Sequence, residues 1–508
     1  KLIACRVLTK LELDDGMIYF QDLMDLDSNK LQKRLNHMES GAAISGIQNL
    51  LEGDFFSWYC SDVVWDEQSF KTIVPLIREL GLYTPESYIW NSRTLDIFEE
   101  LYMGMMPTSV RHSTGEYFTP SWLANQVIER SIKVGELGEE FTAIDPCCGS
   151  GVFLMQLVKK FMGNRDVAQL TQAERGDIFD KIVHCVIGID INPLSVLAAR
   201  VNFFLSTREL LVDYQGHIEL PIYIGDSTYF APQEDINGTS CYVHQMTTRG
   251  LEYEAALPVC LVESKDFFHR ISSAQMSIMG GLDAESICNM ILLGLEKNVS
   301  LDAKEKVAGL VQRLIEFHQK GLGTLWIRII ANYMRSASIK SRDLITGNPP
   351  WVRWSNLQQM YNEKITKEIN ANLSHIFSGD AWMGGIQLNI CALISNVTAS
   401  RWLTERGMLA FLMPKSVAQH HSYNGFRNFF IDKDSGKRLY LQELDDWEKS
   451  GNPFHGTDAT EKFMTYFYGR NVVDYKGEGV PVNRYVKLKG TIPSSGDLTY
   501  ESVKHLYK

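Results

Sequence analysis

The sequence predicts a mainly parallel α/β sheet covered on both faces. Short apolar runs alternate with helical patterns from about residue 141 onward. Acidic or Asn-Pro sequences close several of those runs, where ligands sit in open α/β sheets. The amphipathic spacing before residue 105 lacks that alternation, so the sheet is expected to begin after a helical start.

Taken in order, residues 1–105 read as a helical support domain, with apolar residues at three- and four-residue spacing in Ile73–Leu80 and Thr94–Tyr102. Phe141–Ile144 is the first strand, followed by the turn Asp145-Pro146-Cys147-Cys148-Gly149-Ser150-Gly151 and a helix bearing Val152, Phe153, Leu157 and Val158. Cys185–Ile189 is the second strand and ends at Asp190. Pro193 then opens a helix, where its missing N–H costs nothing. Ile222–Ile224 is the third and ends at Gly225-Asp226. Residues 231–340 break the rhythm and read as a helical insertion, with Val307, Leu310, Val311, Leu314 and Ile315 on one helix face. Leu344–Thr346 is the fourth strand, before Gly347-Asn348-Pro349-Pro350-Trp351. A helix over 386–403 and strands Met408–Met413, Leu439–Leu444 and Phe463–Tyr468 complete a seven-stranded, Rossmann-like sheet within residues 106–470. Residues 471–508 turn polar and Gly-rich, as in a linker or the start of a truncated domain.

A chain of 508 residues exceeds one compact core, and 45% hydrophobic against 22% charged residues excludes a mainly disordered chain. No run of roughly 18 residues is free of both charged and strongly polar groups, so no membrane span is expected. The chain begins at Lys1 with no signal peptide after it, as in a trimmed chain or one numbered inside a longer protein. The nine cysteines are scattered, never as C-x-x-C. This argues against a zinc site and fits a reducing cytoplasm. The net charge of −11 argues against nonspecific coating of nucleic acid but allows a local basic groove.

The carboxylates Asp145, Asp190 and Asp226 at three strand ends frame a nucleoside-like ligand, with Asp190 placed for ribose hydroxyls. Gly149 and Gly151 allow close backbone approach. No lysine follows Gly151 as in a phosphate-binding loop, and Leu154 stands where a dinucleotide fingerprint needs glycine. A ligand with adenine and ribose but no phosphates fits better, and S-adenosylmethionine is one. At the fourth strand end, two prolines stiffen the loop. The Asn348 side-chain oxygen and the Pro349 carbonyl can then accept both hydrogens of a planar amino group, while Trp351 offers a flat face to a base.

These motifs, with Thr114-Gly115-Glu116-Tyr117-Phe118-Thr119-Pro120, Gly188-Ile189-Asp190, the Met408–Pro414 strand and Asn452-Pro453-Phe454, resemble the N6-adenine DNA methyltransferases of the gamma class. Type I modification subunits and Type IIG restriction–modification enzymes belong there. The resemblance covers about 106–470. It implies that Phe118, Thr119 and Pro120 line the methionine side of S-adenosylmethionine, that Asp145 faces its amino group, that Asp190 binds its ribose and that Asp226 binds its adenine. It assigns catalysis to Asn348, Pro349, Pro350 and Trp351, with Trp351 and Phe454 stacking on a flipped adenine. It implies double-stranded DNA as partner and substrate, a separate specificity or defence-system subunit, no metal and no cysteine nucleophile. Residues 471–508 are too few for a target recognition domain, so sequence readout is expected from elsewhere. Two other readings share the motifs: a DNA-binding subunit with a degenerate methyltransferase core, and a protein glutamine methyltransferase. Asp445-Asp446-Trp447-Glu448-Lys449 lacks nuclease spacing and reads as a solvated turn.

Overall fold

The structure is a computed structural model. It describes residues 2, 22–39, 47, 49–50, 57–82, 118–212, 214, 218–248, 251–321, 325–353, 356–357, 376, 389–451, 453–454, 462–477, 479–492 and 498–508. Its strands are β1 (Ala143–Asp145), β2 (Val186–Asp190), β3 (Ile222–Ile224), β4 (Gln233–Ile236), β5 (Thr239–Thr248), β6 (Leu251–Pro258), β7 (Arg342–Gly347), β8 (Leu403–Pro414), β9 (Phe430–Asp432), β10 (Lys437–Arg438), β11 (Tyr440–Lys449), β12 (Phe463–Gly469) and β13 (Val482–Val486). The chain packs as two units, one of residues 1–90, 170–176 and 208–339, the other of 91–169, 177–207 and 340–508. No helix among the described residues is long and apolar enough to cross a membrane.

The first unit joins the N-terminal segment to 208–339, which differs from the expected boundaries at 105 and 231. Long-range pairing is the reason. Asn49 Nδ2 donates to the Leu220 carbonyl and Asn49 Oδ1 accepts from Leu220 N–H, both at 2.8 Å, and Ile47 bridges Ile218. The helix Glu67–Gly81 fits the periodicity read over Ile73–Leu80. Asp66 caps it by accepting from Ser69 N–H at 2.7 Å, and it buries Val74 and Ile77. The expected helix over Thr94–Tyr102 lies outside the described residues.

The stretch expected to be a helical insertion opens instead with an antiparallel β4–β5–β6 sheet. Asn237 and Gly238, at φ 50° and 86°, form its tight β4–β5 turn, which requires positive φ at both positions. Helices follow at Phe267–Met279, Ala284–Ile291, Leu301–Gln319 and Leu325–Ala337.

In the second unit the strand order is β13-β11-β12-β8-β7-β1-β2. β2, β1, β7 and β8 run parallel, β12 is antiparallel to both β8 and β11, and β13 is parallel to β11. Leu344, Ile345, Leu409–Met413, Tyr466 and Phe467 are fully buried, as a sheet covered on both faces requires. The helices Ser121–Val134 and Ile390–Trp402 both pack on β7 and β8. The polar stretch after Arg470 is not a linker, because β13 joins the sheet. Tyr485 stacks on Trp447 at 3.9 Å and takes a hydrogen bond from Gln126 at 3.0 Å. Asp445–Lys449 is likewise β11 strand rather than a solvated turn, with Asp445 fully buried.

Candidate active site

The parallel strands end at one edge, and the turn after β1 is tied to the end of β2. Cys148 N–H donates to the Ile189 carbonyl and Gly149 N–H to Asp190 Oδ2, each at 2.9 Å. Asp190 Oδ1 accepts Asn192 N–H at 2.8 Å, and Asn202 Nδ2 holds the Ser150 carbonyl at 3.0 Å from the helix Pro193–Thr207. Gly149 and Gly151 have φ of 53° and 96°, a region that favours glycine, and Gly151 leads directly into the helix Val152–Met162. A side chain at Gly149 would meet nothing within 4 Å, so the turn faces open space there. At Gly188 a Cβ would lie 2.6 Å from Leu154 Cδ1, so this glycine lets the helix close onto β2.

Asp145 is 1% exposed and accepts Cys147 N–H at 3.0 Å. Burial pushes its carboxyl well above the usual range, and the nearby Asp190 charge adds to the rise. Burial also raises the Cys148 thiol well above its ordinary value.

β7 delivers the tetrapeptide beside this turn. Gly347 has φ 152°, and a Cβ on it would collide with Asp145 Oδ1 and lie 2.9 Å from Asp145 Cγ. The next residue, Asn348, donates from Nδ2 to Thr119 Oγ1 at 3.1 Å. Thr119 is buried, and Pro120 opens the helix Ser121–Val134 that seats it. Pro349 is buried, and Phe118 and Pro350 are half-buried. Thr114–Tyr117 and Asn452, parts of the recognised motifs, lie outside the described residues.

Trp351 and Phe454 are placed differently from the open stacking faces expected of them. They are 5% and 2% exposed and meet edge to face at 5.5 Å. Phe463 lies 5.7 Å from the Trp351 ring, and the indole N–H donates to the Leu412 carbonyl at 3.2 Å. The pair braces the Pro-Pro loop against β8 and β12, and stacking on a base requires that it be uncovered. Asp226 belongs to the first unit, where it is buried and its Oδ1 accepts Thr228 N–H at 2.9 Å and the Thr228 hydroxyl at 2.6 Å. The second unit thus brings together Thr119, Asp145, Gly149, Gly151, Asp190, Asn348 and Pro349.

Residues 93–235 match the family model N-6 DNA Methylase. That match bears out the resemblance read from the motifs. No curated relative matches the chain. Solved structures that the chain matches include the DrdV–DNA complex, at 10% identity and TM-score 0.40, covering 94% of this chain and 36% of that one. A modification subunit of a putative type I restriction enzyme from Vibrio vulnificus is 12% identical at TM-score 0.38, over 86% and 60% of the two chains. A putative class I S-adenosylmethionine-dependent methyltransferase from Listeria monocytogenes is 12% identical at TM-score 0.36, over 95% and 92%. The chain therefore spans about a third of the DrdV chain's length and three fifths of the Vibrio subunit's.

Sequence reasoning missed two contacts. Thr119, expected at the cofactor, also holds Asn348. Gly347 carries the other signal, since a glycine at a strand end before a candidate functional residue marks close approach of another group.

Proposed function

We propose that this chain transfers a methyl group from S-adenosylmethionine to the N6 amino group of an adenine in duplex DNA, within a restriction–modification or phage-defence system. The observation that carries this reading is Asn348, held by Thr119 on a Pro-Pro loop whose preceding glycine is packed against Asp145. The match of residues 93–235 to N-6 DNA methylases supports it.

The residues suit this cofactor. The glycine turn opens on space at Gly149, carboxylates stand at the ends of β1 and β2, and no phosphate-binding lysine follows Gly151. Asp190 would hold the ribose, and Asp145 with Phe118 and Pro120 the methionine end. When bound, S-adenosylmethionine supplies a sulfonium methyl group that leaves its sulfur for the amino nitrogen.

The chain's own part is positioning and electrostatics. A target base inside a duplex is out of reach, so it must be flipped out at a cost of a few kcal/mol. Asn348 Oδ1 and the Pro349 carbonyl accept the two amino hydrogens. This draws the nitrogen out of conjugation with the ring and stabilises its positive charge until one proton passes to solvent water. Thr119 fixes the Asn348 amide so that its oxygen remains the acceptor.

The test is transfer of tritium from labelled S-adenosylmethionine. Label in plasmid DNA, lost in Asn348→Ala, supports the reading. Label in protein favours glutamine methylation, and cofactor binding with no transfer favours a degenerate DNA-binding core.

A further inference from the structure

The carboxyl edge of the sheet extends beyond the catalytic loop. Because β11 and β13 run in the same direction as β7, their ends lie on the edge that carries Asp145 and Asn348. β11 ends at Lys449, and Lys487 and Lys489 follow β13. The two strand ends are joined directly, with Lys487 N–H donating to the Lys449 carbonyl at 2.9 Å. The Lys487 side chain crosses Gly451, where an added Cβ would lie 3.2 Å from its Cδ.

All three lysines are exposed, and among the described residues none forms an ion pair. Neighbouring lysines on this edge behave differently. Lys415 is bound by Asp446 and Glu448, and Lys462 by Glu448. An uncompensated trio is a local exception in a chain of net charge −11. Mutual repulsion disfavours such a grouping unless a polyanion covers it.

We propose that Lys449, Lys487 and Lys489 form a phosphate-contacting surface for the DNA backbone flanking the flipped base. The inference rests on the DNA reading above and adds a contact surface to it. Four strand spacings separate β7 from β13, about 19 Å at ~4.8 Å each. At ~3.4 Å per base pair, the trio reaches phosphates about six base pairs from the target.

The test is fluorescence anisotropy of a labelled mixed-sequence duplex across a sodium chloride series. The full chain is compared with a Lys449→Gln/Lys487→Gln/Lys489→Gln variant and with the matching Lys→Arg variant. Each phosphate contact contributes roughly 0.9 to the slope of log K against log salt, so the glutamine variant should lose about 2–3 units. The arginine variant should keep the parent's slope, and all three should bind S-adenosylmethionine equally in calorimetry. An unchanged slope in the glutamine variant overturns the surface while leaving methyl transfer intact. A parent that binds DNA steeply but transfers no methyl group retains the surface and refutes the methyltransferase reading. A parent that binds no duplex overturns both.

Discussion

Gly347 lies against the carboxyl group of Asp145, so close that a methyl group on Gly347 would occupy the space of Asp145 Oδ1. The residue that opens the glycine turn and the residue that precedes Asn348 therefore share one contact. Two motifs about 200 positions apart are built as one object.

Gly347→Ala should consequently damage both of the proposed roles, cofactor binding and methyl transfer. The Cβ collides with a buried carboxyl, and φ 152° is strained for alanine. We expect a loss of about 1–3 kcal/mol in stability, with weaker S-adenosylmethionine binding and slower transfer together. Thermal melting and calorimetry read both, and a variant with parental affinity and rate would refute the coupling.

Asp145→Asn separates stability from function. Burial raises the folded-state carboxyl above its unfolded value of 3.8. The folded state thus binds protons more readily, so this group's contribution to stability declines as pH rises from the unfolded toward the folded value. A neutral asparagine removes that cost and can still accept Cys147 N–H. The variant should melt higher than the parent at neutral pH yet bind cofactor less tightly. A lower melting temperature would contradict this account of Asp145.

Thr119→Val tests the orienting contact to Asn348. Valine keeps the volume and removes the acceptor, a hydrogen bond of ~1 kcal/mol. Transfer should slow by about fivefold to tenfold with little change in KM for DNA, and Thr119→Ser should recover most of it. Loss of cofactor binding without a specific loss of rate would instead assign Thr119 to the cofactor alone.

The ion-pair group at the carboxyl edge sets an acid limit. Hydrogen bonds from Lys415 and Lys462 hold the Glu448 carboxyl down to about 2, from an ordinary 4.5. A depressed carboxylate contributes stability above its unfolded value, and that contribution disappears as pH falls through the folded value. Urea unfolding between pH 5 and 2 should show stability dropping across that window. Glu448→Gln should flatten the dependence, and an equally steep curve in the variant would contradict the assignment.

How much of this was legible in the sequence follows from how local each signal is. The strands ending at Asp145, Asp190 and Gly347 were readable because buried parallel strands are short apolar runs closed by turn residues. The β4–β5 hairpin was also written locally, in Asn237-Gly238 between strands, but the surrounding polar residues masked it as a loop. The β13 strand was hidden because an edge strand alternates and stays half-exposed, as Val482–Val486 does. The joining of residues 1–90 with 208–339 depends on contacts such as Asn49 with Leu220, which no local pattern encodes. In the site, the acids and the tetrapeptide were readable from their types and positions. The covered state of Trp351 was not, because its neighbours Phe454 and Phe463 lie over 100 residues downstream.

In the proposed reaction Asn348 presents an acceptor to the amino group of adenine. Mass spectrometry of nucleosides from DNA incubated with S-adenosylmethionine and either the parent chain or Asn348→Ala tests it most directly. The parent should yield N6-methyladenine, and Asn348→Ala should yield none at unchanged cofactor affinity. N4-methylcytosine as the product, or N6-methyladenine at the parental level from Asn348→Ala, would contradict it.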